Sequence, residues 1–158
     1  MPQRFKTLTP SEVKKKIYYY CAYQERSHQE VKNKLYDLGL HSNEVDDLLS
    51  HLITEGYLNE ERFAKAFAGG KFRVKSWGRI KIVQELEARG LTKNCIKAGL
   101  KEIDEQDYLK TLESLIKKKA ELVEEENLFV KRDKLARYAI QKGFEPDLTW
   151  AVIKEIIT

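Results

Sequence analysis

Three glycines, Gly39, Gly90 and Gly143, stand 51 and 53 residues apart, each inside the same local pattern. Eight residues before them lie Val31, Ile82 and Leu135, and one residue after them lie Leu40, Leu91 and Phe144. Nine, ten and thirteen residues after them come Leu48, Leu49 and Leu52; then Gly99, Leu100 and Ile103; then Val152, Ile153 and Ile156. Only Gly99 departs from the apolar pattern. Glycine after an apolar run at helical spacing is a helix stop, because it takes the left-handed backbone without steric cost. A stop recurring at a period near fifty residues implies stacked helical modules, each burying its apolar face partly against its neighbours.

The helix signals between the stops fill in three helices per module. Thr9-Pro10-Ser11-Glu12 combines a capping threonine, a proline at the first helical position and a glutamate three residues after the cap. Ser27-His28-Gln29-Glu30 repeats that box, and Asn43, Asn59, Ser76 and Asn94 are further capping candidates. Between them Val13, Ile17 and Cys21, then Val31, Leu35 and Leu38, then Phe63, Ala64 and Phe67 recur at helical intervals. In the last third, Tyr108, Leu112, Leu115 and Ile116 start a round that continues through Leu135, Ala136 and Ala139 to Thr149 and Val152. The polar run Lys117 to Asn127 fits either a long helix end or a loop. The expected fold is all-α, an elongated array of three tandem three-helix repeats at 1–58, 59–103 and 104–158.

Charge is unevenly distributed over these units. Residues 1–58 hold 8 basic and 8 acidic side chains, 59–103 hold 11 and 5, and 104–158 hold 10 and 12. The middle unit alone carries the excess that points to an acidic partner. Between Glu61 and Glu85 there is no carboxylate, while Arg62, Lys65, Lys71, Arg73, Lys75, Arg79 and Lys81 are all positive. Of these, Arg62, Lys71, Arg73, Lys75, Arg79 and Lys81 are the candidate contacts for phosphates or an acidic protein surface. On a helix the alternating Lys71, Arg73 and Lys75 spread around the axis, whereas in an extended connector they share a side. Trp77 fits either a base-stacking role or core packing, and Gly69-Gly70 either ends a helix or loosens its last turn.

Catalytic signatures are missing from the same stretch. A phosphate-binding P-loop needs glycine where Lys65 stands and serine or threonine where Phe72 stands. His28, His41 and His51 form no HExxH pattern, and Cys21 and Cys95 have no CxxC spacing. No cofactor, metal or enzymatic activity is expected. No apolar run approaches the ~20 residues of a membrane span, and the first ten residues contain no apolar targeting core. The expectation is a soluble cytoplasmic protein.

At this point the residues carry a family resemblance. Arg26-Ser27, Glu30, Lys34-Leu35 and Gly39 are similar to the R-S-x-x-E-x-x-x-K-L-x-x-x-G run of RecX regulatory proteins. The junction Gly56-Tyr57-Leu58-Asn59-Glu60-Glu61-Arg62-Phe63-Ala64 and the later Lys75-Ser76-Trp77-Gly78, Lys81-Ile82, Glu85-Leu86 and Arg89-Gly90-Leu91 follow in the family's order. The family more often has glycine at the position of Ser76 and a basic residue at that of Gln24. The resemblance implies a non-catalytic bacterial modulator that binds the RecA recombinase filament, touching protein and DNA, and inhibits recombinase and ATPase activity. Recombination, DNA repair and the SOS damage response are the processes so modulated. The alternative from another class is a stand-alone DNA-binding helical protein that uses the basic middle repeat.

Overall fold

The structure is a computed structural model and describes residues 7–158. Those residues form nine helices and no strand. The first group is α1 (Pro10–Tyr23), α2 (His28–Asp37) and α3 (Ser42–Thr54). The second is α4 (Glu60–Lys75), α5 (Arg79–Ala88) and α6 (Lys93–Leu100), and the third α7 (Glu105–Leu122), α8 (Leu128–Gln141) and α9 (Pro146–Ile156).

The recurring glycines do the same job in every group. Gly39, Gly90 and Gly143 have φ of 94°, 79° and 103°, the left-handed region that favours glycine. Each glycine N–H returns to the helix three residues back, at 2.9 Å in all three cases. The next residue closes the motif: Leu40, Leu91 and Phe144 donate to the carbonyls of Leu35, Leu86 and Ala139 at 3.2, 3.2 and 3.1 Å. This is why an apolar residue follows each glycine. The returning N–H turns its side chain back under the helix it has just ended.

Helix starts follow short-range chemistry. Thr9, Ser27, Asn59, Asp104 and Asn127 cap α1, α2, α4, α7 and α8 with their side-chain oxygens. Three caps differ from the sequence expectation. His41, not Asn43, precedes α3, where Glu44 reaches back to accept from the His41 N–H at 3.3 Å. Thr92 rather than Asn94 caps α6, accepting from the Cys95 N–H. Ser76 is not an N-cap at all: it ends α4 in the left-handed region (φ 55°), and Gly78 opens α5. The polar run after Lys117 resolves as the last turn of α7 followed by a loop from Val123 to Asn127.

Two hydrophobic cores result, and their division does not follow the threefold repeat. The first gathers Val13, Ile17, Cys21, Val31, Leu35, Val45, Leu49, Leu52 and Leu58 from the opening three helices and their exit. The second is continuous from Phe63 to Ile153 and merges the second and third groups. Gly99 lies at a close backbone approach within it, because a Cβ there would stand 2.7 Å from the carbonyl oxygen of Ala64. The one break in the apolar repeat is thus where α6 presses its backbone on α4.

Candidate partner-binding surface

α4 runs unbroken through Gly69 and Gly70 to Lys75, so the basic stretch is helical and its charges spread around the axis. Arg73 lies four residues after Gly69 and folds its guanidinium over it; a Cβ at Gly69 would be 2.7 Å from that group. Lys71 and Lys75 project from the other flank, with Val74 between them exposed to solvent. Trp77 packs against the second core and meets Phe67 edge to face at 6.2 Å. Its ring is covered by two ammonium groups, Lys71 at 5.0 Å and Lys81 at 4.5 Å from the centroid. Both contacts are in the range where a cation is attracted to an aromatic face.

Arg62 and Arg79 have a different setting. Arg62 donates to Glu25 Oε1 and to the carbonyl of Gly56, each at 2.9 Å, tying the first group to the second. Arg79 lies at the joint between the second and third groups. Its guanidinium stacks on Tyr108 at 3.9 Å, donates to Glu145 at 2.8 Å and pairs with Glu105. Its backbone N–H donates to the Tyr108 hydroxyl, which in turn donates to Glu145. Burial, then that carboxylate, pushes the Tyr108 hydroxyl well above the usual tyrosine range, so it stays a neutral donor. Near the end of α4, Arg73 and Lys75 are exposed and Lys71 and Lys81 are half-buried over Trp77, and among the described residues none of the four pairs with a carboxylate.

The structure adds lysines from the third group to this surface. Lys142 donates its ammonium to the carbonyl of Lys75 at 2.8 Å. Beside it, Lys110, Thr111, Ser114 and Lys118 of α7 line a recess of about 320 Å³ whose other wall is Ser76. Lys110, Ser114 and Lys118 recur every four residues, which puts them on one helix face. That spacing was the available signal, hidden because the third unit is net acidic. Among the described residues no cluster of His, Cys, Asp and Glu could hold a metal, and no helix is long and apolar enough to cross a membrane.

Fold and surface together define an all-helical protein of tandem three-helix units with a basic face where the second unit meets the third. The family model for the second three-helix domain of RecX matches residues 59–100, and that for the third matches 105–153. The chain belongs to the RecX family of regulatory proteins.

Curated relatives named regulatory protein RecX include one from Prosthecochloris aestuarii, 27% identical over 139 residues, covering 88% of this chain and 89% of the relative. Those from Oceanobacillus iheyensis and Geobacillus kaustophilus are 24% and 26% identical over 89% and 91% of this chain. The chain spans 52% and 55% of their respective lengths. The crystal structure of RecX from Lactobacillus salivarius superposes with a TM-score of 0.82 at 22% identity, covering 92% of this chain and 95% of that one. A second RecX crystal structure gives 0.79 at 18% identity, over 92% and 74%. At such identity these neighbours show the all-α repeat fold.

Proposed function

We propose that the protein is a non-catalytic regulator that binds the RecA nucleoprotein filament and inhibits its recombinase and ATPase activities. It thereby moderates recombination and DNA repair in the bacterial cytoplasm. Family membership supports the partner. The observation that carries the mode of action is the patch of cations without carboxylate partners at the end of α4, Arg73 and Lys75 exposed among them, continued onto α7 by Lys110 and Lys118. A filament presents phosphates and protein subunits at a regular spacing, so weak contacts from a multi-unit chain add through effective concentration. Lys71, Arg73, Lys75 and Lys81 are the contacts with DNA or filament, while Arg62 and Arg79 act by fixing the unit joints.

The test is RecA-driven, DNA-dependent ATP hydrolysis with increasing amounts of this protein. Inhibition at stoichiometric amounts is expected, and none under filament-forming conditions would sink the proposal. The double change Arg73→Glu, Lys75→Glu should weaken inhibition at least tenfold with an unchanged thermal melt; unchanged inhibition would move the contact elsewhere. If the contacts are phosphates, log affinity should fall with log salt by roughly 0.7 to 0.9 per phosphate. A stand-alone DNA-binding protein, the second reading suggested by the basic recess, would hold naked duplex as tightly as the filament.

A further inference from the structure

The first group of helices carries a second surface of different character. Along the solvent side of α1, Lys15, Lys16, Tyr19 and Tyr23 fall on one face, opposite the buried Val13, Ile17 and Cys21. Tyr19 and Tyr23 are 69% and 70% exposed, with ring centroids 6.2 Å apart. Exposed large aromatics side by side are unusual on a helix whose other face is already packed. They border a groove of about 710 Å³ between α1 and α2. Its floor is Tyr20, over which the Arg26 guanidinium stacks at 3.7 Å and the Lys34 ammonium sits at 5.6 Å. Four cations line the groove against one carboxylate, Glu12.

We propose that this groove is a binding platform for single-stranded nucleic acid, with bases stacking on Tyr19 and Tyr23 and phosphates meeting Lys15, Lys16 and Lys34. Exposed flat rings next to ammonium groups match a ligand that alternates flat faces and negative charges, which a single strand does at every nucleotide. Duplex is a poorer fit, because its base faces are covered by stacking. An acidic peptide would satisfy the lysines and leave the ring faces unused. Arg26 is already held by the Tyr20 carbonyl at 3.0 Å and by the ring, so it shapes the floor rather than reaching for ligand. The platform lies outside the two family-matched segments and outside the basic middle unit. It deepens the proposed function by giving the filament's DNA a second seat, and it rests on that reading for its setting alone.

The experiment uses the full chain and a fluorescein-labelled oligothymidylate, with anisotropy read over a range of salt concentrations. The wild type should bind, and Tyr19→Ala, Tyr23→Ala should weaken binding at least fivefold while leaving the salt slope unchanged. Tyr19→Phe, Tyr23→Phe should stay within about twofold, because the ring rather than the hydroxyl stacks. Lys15→Gln, Lys16→Gln should flatten the slope by roughly 0.7 for each phosphate lost. Both rings are solvent-exposed, so the alanine variant should melt with the wild type. A loss below fivefold, or no binding by the wild type at low salt, overturns the platform. So does a polyglutamate peptide that displaces the oligonucleotide at equal charge concentration. RecA-driven ATP hydrolysis run in parallel separates the two ideas: a wild type that binds oligonucleotide without inhibiting refutes the filament reading and leaves the platform standing.

Discussion

At Gly70 and Gly99 the same substitution should act with opposite sign. Both glycines are inside helices, where replacement by alanine is intrinsically favourable by about 1 kcal/mol. A Cβ at Gly70 meets nothing within 4 Å, so Gly70→Ala should raise stability by about 0.5–1 kcal/mol. At Gly99 the new atom would press on the Ala64 carbonyl carbon at 2.8 Å as well as its oxygen. Backbone cannot swing aside, and overpacking of about 1–3 kcal/mol should outweigh the propensity gain. Urea midpoints that move in the same direction for both variants would contradict this account. Arg79 gives the polar counterpart. Its side chain is 22% exposed and bridges carboxylates from the starts of α7 and α9. Arg79→Ala leaves Glu145 short of its partner and should lower stability by about 1–3 kcal/mol, whereas Lys75→Ala at the exposed helix end should change it by less than about 0.5 kcal/mol.

Among the elements, α2 contains a titrating contact. His28 is its first residue; its N–H donates to Glu60 Oε2 at 3.1 Å and its Nδ1 lies 3.3 Å from Glu60 Oε1. Burial holds the imidazole below its usual value of 6.5, helped by Lys32 and opposed by Glu60. A helix N-terminus also disfavours a cation. The unfolded chain therefore takes up a proton near 6.5 that the folded chain resists. Stability from this group is full above 6.5, declines as pH falls towards the folded value and levels off below it. His28→Asn should flatten that part of the pH profile in urea titrations on either side of 6.5, and an unaltered profile would show that the drop arises elsewhere.

Element by element, the sequence announces what is local. Thr9, Ser27 and Asn59 are legible because a cap is a contact between residues three apart, and the glycine stops because left-handed backbone selects one residue type. Ser76 misleads for a tertiary reason. The chain there must turn α5 onto Gly143, and Gly78, with no side chain to collide, takes the cap position. The candidate surface divides on the same principle. Charge density along the chain marks the end of α4, but the carboxylates that engage Arg62 and Arg79 come from 37, 26 and 66 residues away. No local pattern carries that information.

For the whole molecule, the two separate cores set the unfolding behaviour. The first three helices meet the rest through polar contacts: the ion pairs Glu25 with Arg62 and Glu30 with Arg89, the last at 3.9 Å, and the contact of Glu60 with His28. We propose that they unfold as a unit apart from the other six. Both tryptophans, Trp77 and Trp150, pack on the second core. Tryptophan fluorescence should therefore follow only the larger body, while far-ultraviolet circular dichroism follows both, and the two urea curves should separate. Coincident curves would mean that the polar joint couples the bodies as strongly as a shared core does.

Gly143 gives that division a geometric meaning. The Gly78 N–H donates to the carbonyl of Lys142 and the Ile80 N–H to that of Gly143, at 2.8 and 2.9 Å. A Cβ on Gly143 would strike Lys81 at 2.4 Å. In the first unit the counterpart of Gly78 is Ser27, which keeps its buried side chain as a helix cap, and a Cβ at Gly90 meets nothing within 4 Å. No single screw operation carries the first unit onto the second and the second onto the third. A filament, by contrast, is generated by one such operation. On the filament proposed as its partner, three units joined unequally would meet successive subunits at unequal angles, so the chain's own asymmetry would fix its orientation on that track.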